Sequence, residues 1–349
     1  YAPRLVSRIG HVRAFAALAS LCSTAAVVHL LSTDFGAWFA MRLLAGFCFP
    51  GLYVISESWL NAKAANRSRA SLLSAYFIVQ TLGASLGQAM AGLDDPTGAL
   101  LFGLASILIS LSLVPLLISR NPAPDYVPPA RMSVLRLTRV SPMGVMGAML
   151  NGAGQAAIYV GLPLYGLAIG LGPSRATLLV VTATLAGAGA QFPAGWVSDR
   201  MDRRFVVGGL SIVCAGAAAA LAAGLLDAVP FLAAALIGAT LLPIYSLCVA
   251  YANDQLLPAE IVPASGALVL SLNIGILSGA FAGPIAVGLF GPEGLAWLLT
   301  LLTGSTAGVA AFRSLRTSTP SGTGTAHPIA VQGVQTTGAM HPDARDRPG

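Results

Sequence analysis

The stretch QFPAGWVSDRMDRRFVVGG, Gln191 to Gly209, sets two Asp and three Arg within six consecutive positions of a 349-residue chain that is only 9% charged. Apolar sequence flanks it on both sides. Charge so concentrated between two apolar runs reads as a short turn at a membrane surface, joining two spanning helices.

The composition around it agrees. Hydrophobic residues make up 56% of the chain and the mean hydropathy is +0.77, whereas a soluble domain carries about 25% charged residues. A bilayer core of ~30 Å needs about 20 apolar residues per helical crossing. Ten segments of that length run from Ala14 to Phe312, each with at most two internal charges. The pattern predicts an all-α polytopic membrane protein. It excludes a secreted chain with a single cleaved leader, because the apolar runs continue along most of the sequence.

Cys22, Cys48, Cys214 and Cys248 all fall inside apolar segments, without the spacing of a disulfide framework or a metal site. They read as small packing residues, and no cofactor is expected. The net charge of +6 does not point to nucleic acid, since the bases alternate with the segments. Arg4, Arg8 and Arg13 precede the first; Lys63, Arg67 and Arg69 follow the second; Arg120, Arg131, Arg136 and Arg139 follow the fourth; Arg200, Arg203 and Arg204 follow the sixth; Arg313 and Arg316 follow the tenth. Intervening connections hold Asp34, Asp94, Asp95, Asp227 and Glu293, with Arg175 their one base. The positive-inside rule puts the basic set and both chain ends in the cytoplasm of a cell with this protein in its inner membrane. The connection after the eighth segment, with Asp254 and Glu260 and no base, gives no indication.

The organisation expected is a first bundle over residues 1–119, a cytoplasmic linker over 120–141 with four prolines, a six-helix bundle over 142–313 and a disordered cytoplasmic tail over 314–349. An internal repeat supports two halves. SRIGHVR (Ser7 to Arg13) aligns with DRMDRRF (Asp199 to Phe205) at an offset of 192, which also maps Gly83 onto Gly275 and Gly87 onto Gly279. Four apolar segments follow each copy; two precede the second copy and none the first.

GWVSDRMDRR resembles the loop signature of the major facilitator superfamily: Gly, three residues, Asp-Arg, any residue, Gly, two bases. Gly195, Asp199, Arg200, Arg203 and Arg204 match, and Asp202 replaces the second Gly. In the first copy Pro3 stands for Gly and Ser7 for Asp, while Arg8, Gly10, His11 and Arg13 fit. The resemblance implies a two-bundle fold with ten of twelve expected helices, the first two lacking from this sequence. It also implies secondary transport by alternating access. In such a protein the motif acts as a latch in which Asp199 pairs with bases and a neighbouring helix end. The latch set is Arg8, Gly10, Arg13, Glu57, Gly195, Asp199, Arg200, Arg203 and Arg204. Glu57 has the loop bases Arg67 and Arg69 as its expected partners.

Polar groups within the segments are the candidate cavity residues, since a charge or amide in lipid must find protein or water. Arg42, Gly46, Phe49, Tyr53 and Glu57 form one helix stripe, and the Arg42–Gly46 pair resembles the family's fourth-helix motif. Arg42 has snorkelling to the headgroups as its alternative. Asn151, Gln155 and Tyr159 recur every four residues on one face. Tyr76, Gln80, Tyr245 and Asn273 are single polar groups in apolar helices. Each of these reads as cavity lining or as an interhelical hydrogen bond. GAFAGPIAVG (Gly279 to Gly288) resembles the Gly-Pro element of exporters in this superfamily.

The expected protein is a monomeric carrier of a small solute, driven by an ion or solute gradient, with proton coupling as an option and lipid as its surroundings. Multidrug or metabolite export and a nontransporting sensor are the alternatives. A membrane enzyme would need paired carboxylates or a His/Asp cluster at one interface, and His29 is alone in its segment. No Gly-rich Gly-Lys-Ser/Thr motif points to ATP.

Overall fold

The computed structural model describes residues 2–63, 69–90, 99–118, 132–226 and 228–316, and its regular elements there are all helical. A short α1 (Ala2–Ile9) is followed by α2 (His11–Leu31), α3 (Phe35–Lys63), α4 (Arg69–Met90) and α5 (Ala99–Ile118). Next come α6 (Val134–Val140) and α7 (Pro142–Ala156), which runs through a π-helical turn (Ala157–Gly161) into α8 (Leu162–Ala168). The remainder is α9 (Pro173–Ser198), α10 (Arg203–Ala222), α11 (Pro230–Leu241), α12 (Ile244–Asn253), α13 (Pro258–Phe290) and α14 (Pro292–Arg316). All ten predicted segments are helical. Among the described residues nine crossings are long and apolar enough to span a bilayer, with α7–α8 and α11–α12 each counted as one. The 22-residue α4 occupies the third predicted segment, which is the remaining one.

Local chemistry sets several boundaries. Proline opens α7, α9, α11 and α13, where its fixed φ suits a helix and its missing N–H would be an orphan anyway. Gly10, at φ 81°, separates α1 from α2 in a conformation that only glycine adopts at little cost. Part of the stretch expected as a linker is structured. Ser133 caps α6 by accepting from the Arg136 N–H at 3.2 Å, and α6 packs on α7 and α13. Residues 119–131 and 317–349 lie outside the described residues.

The 192-residue repeat is visible in three dimensions. It places the first residue of α2 on the first of α10, and α2 packs on α3 and α5 as α10 packs on α11 and α14. The same register sets Cys22 on Cys214 and Cys48 on Thr240. In each copy that pair brings one side chain from each of two neighbouring helices close together.

The two units differ at their glycines. A Cβ on Gly238 would collide with the Ala183 carbonyl of α9; on Gly275 or Gly279 it would meet the Met149 or Ala153 carbonyl of α7. These are backbone-to-backbone helix contacts, the packing that small residues permit in lipid. A Cβ on their repeat mates Gly46, Gly83 and Gly87 would meet nothing within 4 Å among the described residues. Around the latter two, Val79, Leu82 and Leu86 are exposed. Among the described residues the largest contact between the two halves is that of α4 with α9.

Asp202 shows why the motif tolerates a departure from Gly. In the second copy this position is the N-cap of α10 at φ −59°, so no glycine conformation is needed. Its carboxylate accepts from the Arg204 N–H at 2.9 Å and pairs with the Arg204 guanidinium at 2.6 Å. Arg204, 5% exposed, also donates to the Arg313 carbonyl at 3.2 Å and so ties the start of α10 to the end of α14. The guanidinium holds the Asp202 carboxyl below the usual carboxylate range.

Two outcomes follow from these contacts. Gly275→Ala should lower stability by about 1–3 kcal/mol through overpacking, read as a lower thermal midpoint in detergent. Gly288→Ala, with open space around it, should leave the midpoint unchanged. Because the native pKa of Asp202 is depressed, its stabilisation is fully present above the unfolded value of about 3.9 and is lost as pH falls through the native value. Asp202→Asn should therefore melt below the parent at neutral pH, with the gap closing as the medium is acidified below that range.

Candidate functional site

Two amide side chains, Asn151 and Gln155 on α7, are buried inside a membrane-spanning segment at 1% and 5% exposure. Asn151 Nδ2 donates to the Leu241 carbonyl at 2.7 Å, and Gln155 Nε2 donates to Asn151 Oδ1 at 2.6 Å. Leu241 ends α11, where the chain passes through Leu242 and Pro243 before α12 begins. The last carbonyls of a helix lack intrahelical partners, and the side chain of α7 supplies one. The π turn begins two residues beyond Gln155. Two broken helices thus meet at one amide ladder.

That turn alters the expected stripe. Asn151 and Gln155 share a buried face, whereas Tyr159, inside the π turn, is exposed and lies near Thr184 on α9. The other candidates are separate. Tyr245 on α12 is buried in a cluster with Val145, Ala148 and Leu268. Asn273 is exposed and donates to the Val269 carbonyl of its own helix at 2.7 Å. Tyr76 and Gln80 are half-buried on α4, and Arg42 and Tyr53 are exposed on α3. Arg42 makes no ion pair among the described residues.

At the Arg-rich turn the fork is Arg203. Its Nε pairs with Asp254 Oδ2 at 2.7 Å, while Nη1 donates to Ser198 Oγ at 3.0 Å and lies 3.4 Å from Asp199 Oδ1. Asp199 caps the end of α9 and Asp254 the end of α12, so one guanidinium joins two helix ends. The shorter ion pair is with Asp254, whose place in a base-free connection was the available signal. Glu260, in the same connection, pairs with Arg136 at 2.6 Å. Arg200 turns back on α9, its guanidinium 3.8 Å above the Trp196 ring and donating to the Trp196 carbonyl at 3.0 Å. Gly195 is buried; Arg8 and Arg13 are exposed. The side chains of Ser7 and Glu57, and residue Arg67, lie outside the described residues.

Comparison with known proteins bears on this arrangement. Residues 144–334 match the family model of the Major Facilitator Superfamily. An uncharacterised MFS-type transporter of Yersinia pseudotuberculosis serotype O:3 is 26% identical over 285 residues, covering 80% of this chain and 72% of the relative. Another, YcaD of Salmonella newport, is 28% identical over 281 residues, covering 79% and 72%. The fold is similar to that of a D-xylose–proton symporter, with a TM-score of 0.67 at 14% identity over 88% of this chain and 82% of the other. It is also similar to a bacterial homologue of the human lysosomal transporter Spinster in an inward-facing, occupied conformation, with a TM-score of 0.66 at 18% identity over 90% and 84%. Matched over more than half its length by the family model, and built of apolar helices throughout, this chain belongs to the Major Facilitator Superfamily of membrane transport proteins.

Proposed function

We propose that the protein moves a small polar solute across the cell inner membrane by alternating access, driven by an ion or solute gradient. The observation that carries this reading is the amide ladder from Gln155 through Asn151 to Leu241 at two helix breaks. Broken helices are tolerated in lipid where protein or water satisfies the freed backbone, and carriers use such breaks near the midplane for binding and gating. Residues 1–119 and 142–313 act as two rocking bundles joined by the stretch 120–141, with the Arg-rich connections and both chain ends cytoplasmic. The fucose–proton and D-xylose–proton symporters share the fold, which supports a gradient as the driving force.

Arg203 is the latch, pairing with Asp254 more closely than with Asp199. With side chains 20% and 50% exposed, this pair is worth about 0.2–1 kcal/mol. A contact of that strength biases two conformations without freezing either. Arg42 serves the solute: its cost in an apolar helix is about 2.5–3.5 kcal/mol, and a forked guanidinium recognises a polar or anionic group.

Asp254→Asn should shift the ratio of inward- to outward-open protein by up to about fivefold, measured by accessibility of single cysteines at the two ends. An unchanged ratio would reduce the pair to a surface contact. For the solute, purified protein in liposomes is screened for gradient-dependent uptake. Arg42→Lys and Arg42→Ala should both lose uptake at normal membrane abundance, since Lys cannot reproduce a bidentate contact. Uptake by Arg42→Lys equal to the parent's would make Arg42 an interfacial anchor, and an absence of gradient-dependent uptake for any solute would sink the transport reading.

A further inference from the structure

His29, in the last turn of α2, is 6% exposed and sits where three helices meet. Its Nδ1 lies 2.5 Å from the Ala25 carbonyl. Two acceptors do not approach so closely, so Nδ1 carries the hydrogen and Nε2 the lone pair. Nε2 is buried without a hydrogen-bond partner among the described residues. The ring stacks on Phe102 of α5, with centroids 5.6 Å apart and planes 5° apart. It meets Trp38 of α3 edge-on at 4.9 Å and 73°. Trp38 and Phe102 close the box at 5.5 Å, and Trp38 Nε1 donates to the Ser32 carbonyl at 2.5 Å.

Buried polar atoms are nearly always paired, so an orphaned basic nitrogen calls for a reason. Its charged surroundings are sparse. Helix α5 has no ionisable residue. Helix α3 offers the exposed Arg42 one turn beyond Trp38. The α2–α3 connection offers Asp34, exposed and already accepting from the Ala37 N–H at 2.9 Å. Asp94 and Asp95 lie outside the described residues.

We propose that His29 is a proton-binding site whose protonation opens the α2–α3–α5 corner. The neutral imidazole fits an aromatic box. Protonation turns Nε2 from an idle acceptor into a charged donor with no acceptor in reach among the described residues. Stacking on Phe102 offsets part of that cost as a cation–π contact. Water supplies the missing acceptor once Trp38 swings aside, so the charged form favours an open corner. An imidazole can take up a proton at Nε2, which suits His29 to sensing acid at this end of the bundle.

The test uses Trp38 as reporter, because an imidazolium in contact with an indole quenches its emission. Of the four tryptophans, Trp59, Trp196 and Trp297 are changed to Phe, and the protein is placed in lipid nanodiscs. Acidification should reversibly lower Trp38 emission and raise its quenching by acrylamide. Both responses should be lost in His29→Gln and His29→Phe. An acid response that persists in His29→Gln, or no response with His29 present, would overturn the site. A fall in emission without greater acrylamide access would overturn the opening. Ring resonances of His29 in protein with all its tryptophans, assigned by their loss in His29→Gln, give a second reading: failure to titrate there also overturns the proposal.

Discussion

The interior of a bilayer offers no hydrogen bond to a peptide group, and each feature of this fold answers that constraint. Unbroken helices satisfy it internally, which is why the apolar runs become helices. Two crossings depart from regular geometry, one by the π turn at Ala157–Gly161 and one by the break between α11 and α12. The departures meet at Asn151, which satisfies the Leu241 carbonyl and accepts from Gln155. A polar residue in the membrane is costly unless paired. Here the pairing and the irregular backbone explain each other.

Lipid also removes the hydrophobic drive between helices, leaving van der Waals contact and close approach. Gly238, Gly275 and Gly279 bring backbones together where any side chain would intrude. Their mates Gly46, Gly83 and Gly87 present the same residue type with no such close approach among the described residues. Equivalent glycines therefore have different surroundings in the two units, and the difference is one of packing partners rather than of sequence.

The charges that make ion pairs among the described residues stand at helix ends, where their role is geometric. Three arginines within five residues do three things: Arg200 lies on Trp196, Arg203 bridges the ends of α9 and α12, and Arg204 ties α10 to α14 through Asp202. The acids that complete two of the ties, Asp254 and Asp202, differ in exposure, at 50% and 16%. The exposed pair is weak enough to break and re-form, while the buried one anchors a helix start.

Much of the fold could be read directly from sequence. Apolar length and hydropathy predict the ten helical segments because a bilayer imposes a single dimension on each. The Arg-rich turn and the 192-residue offset mark equivalent helix starts because a cap and a turn are local. The polar candidates were visible as exceptions in apolar runs, yet their surroundings were not. Tyr159 left the stripe of Asn151 because a π turn adds a residue to the helix, an event without a periodic signature. Asp254 became the nearer partner of Arg203, 51 positions away, because α9 and α12 end side by side. His29 looked solitary since its companions, Trp38 and Phe102, come from other helices. Composition decides which residues enter the membrane, a one-body property of each segment. Which of them touch is decided by helix packing, and that is set by pairs of surfaces far apart in the chain.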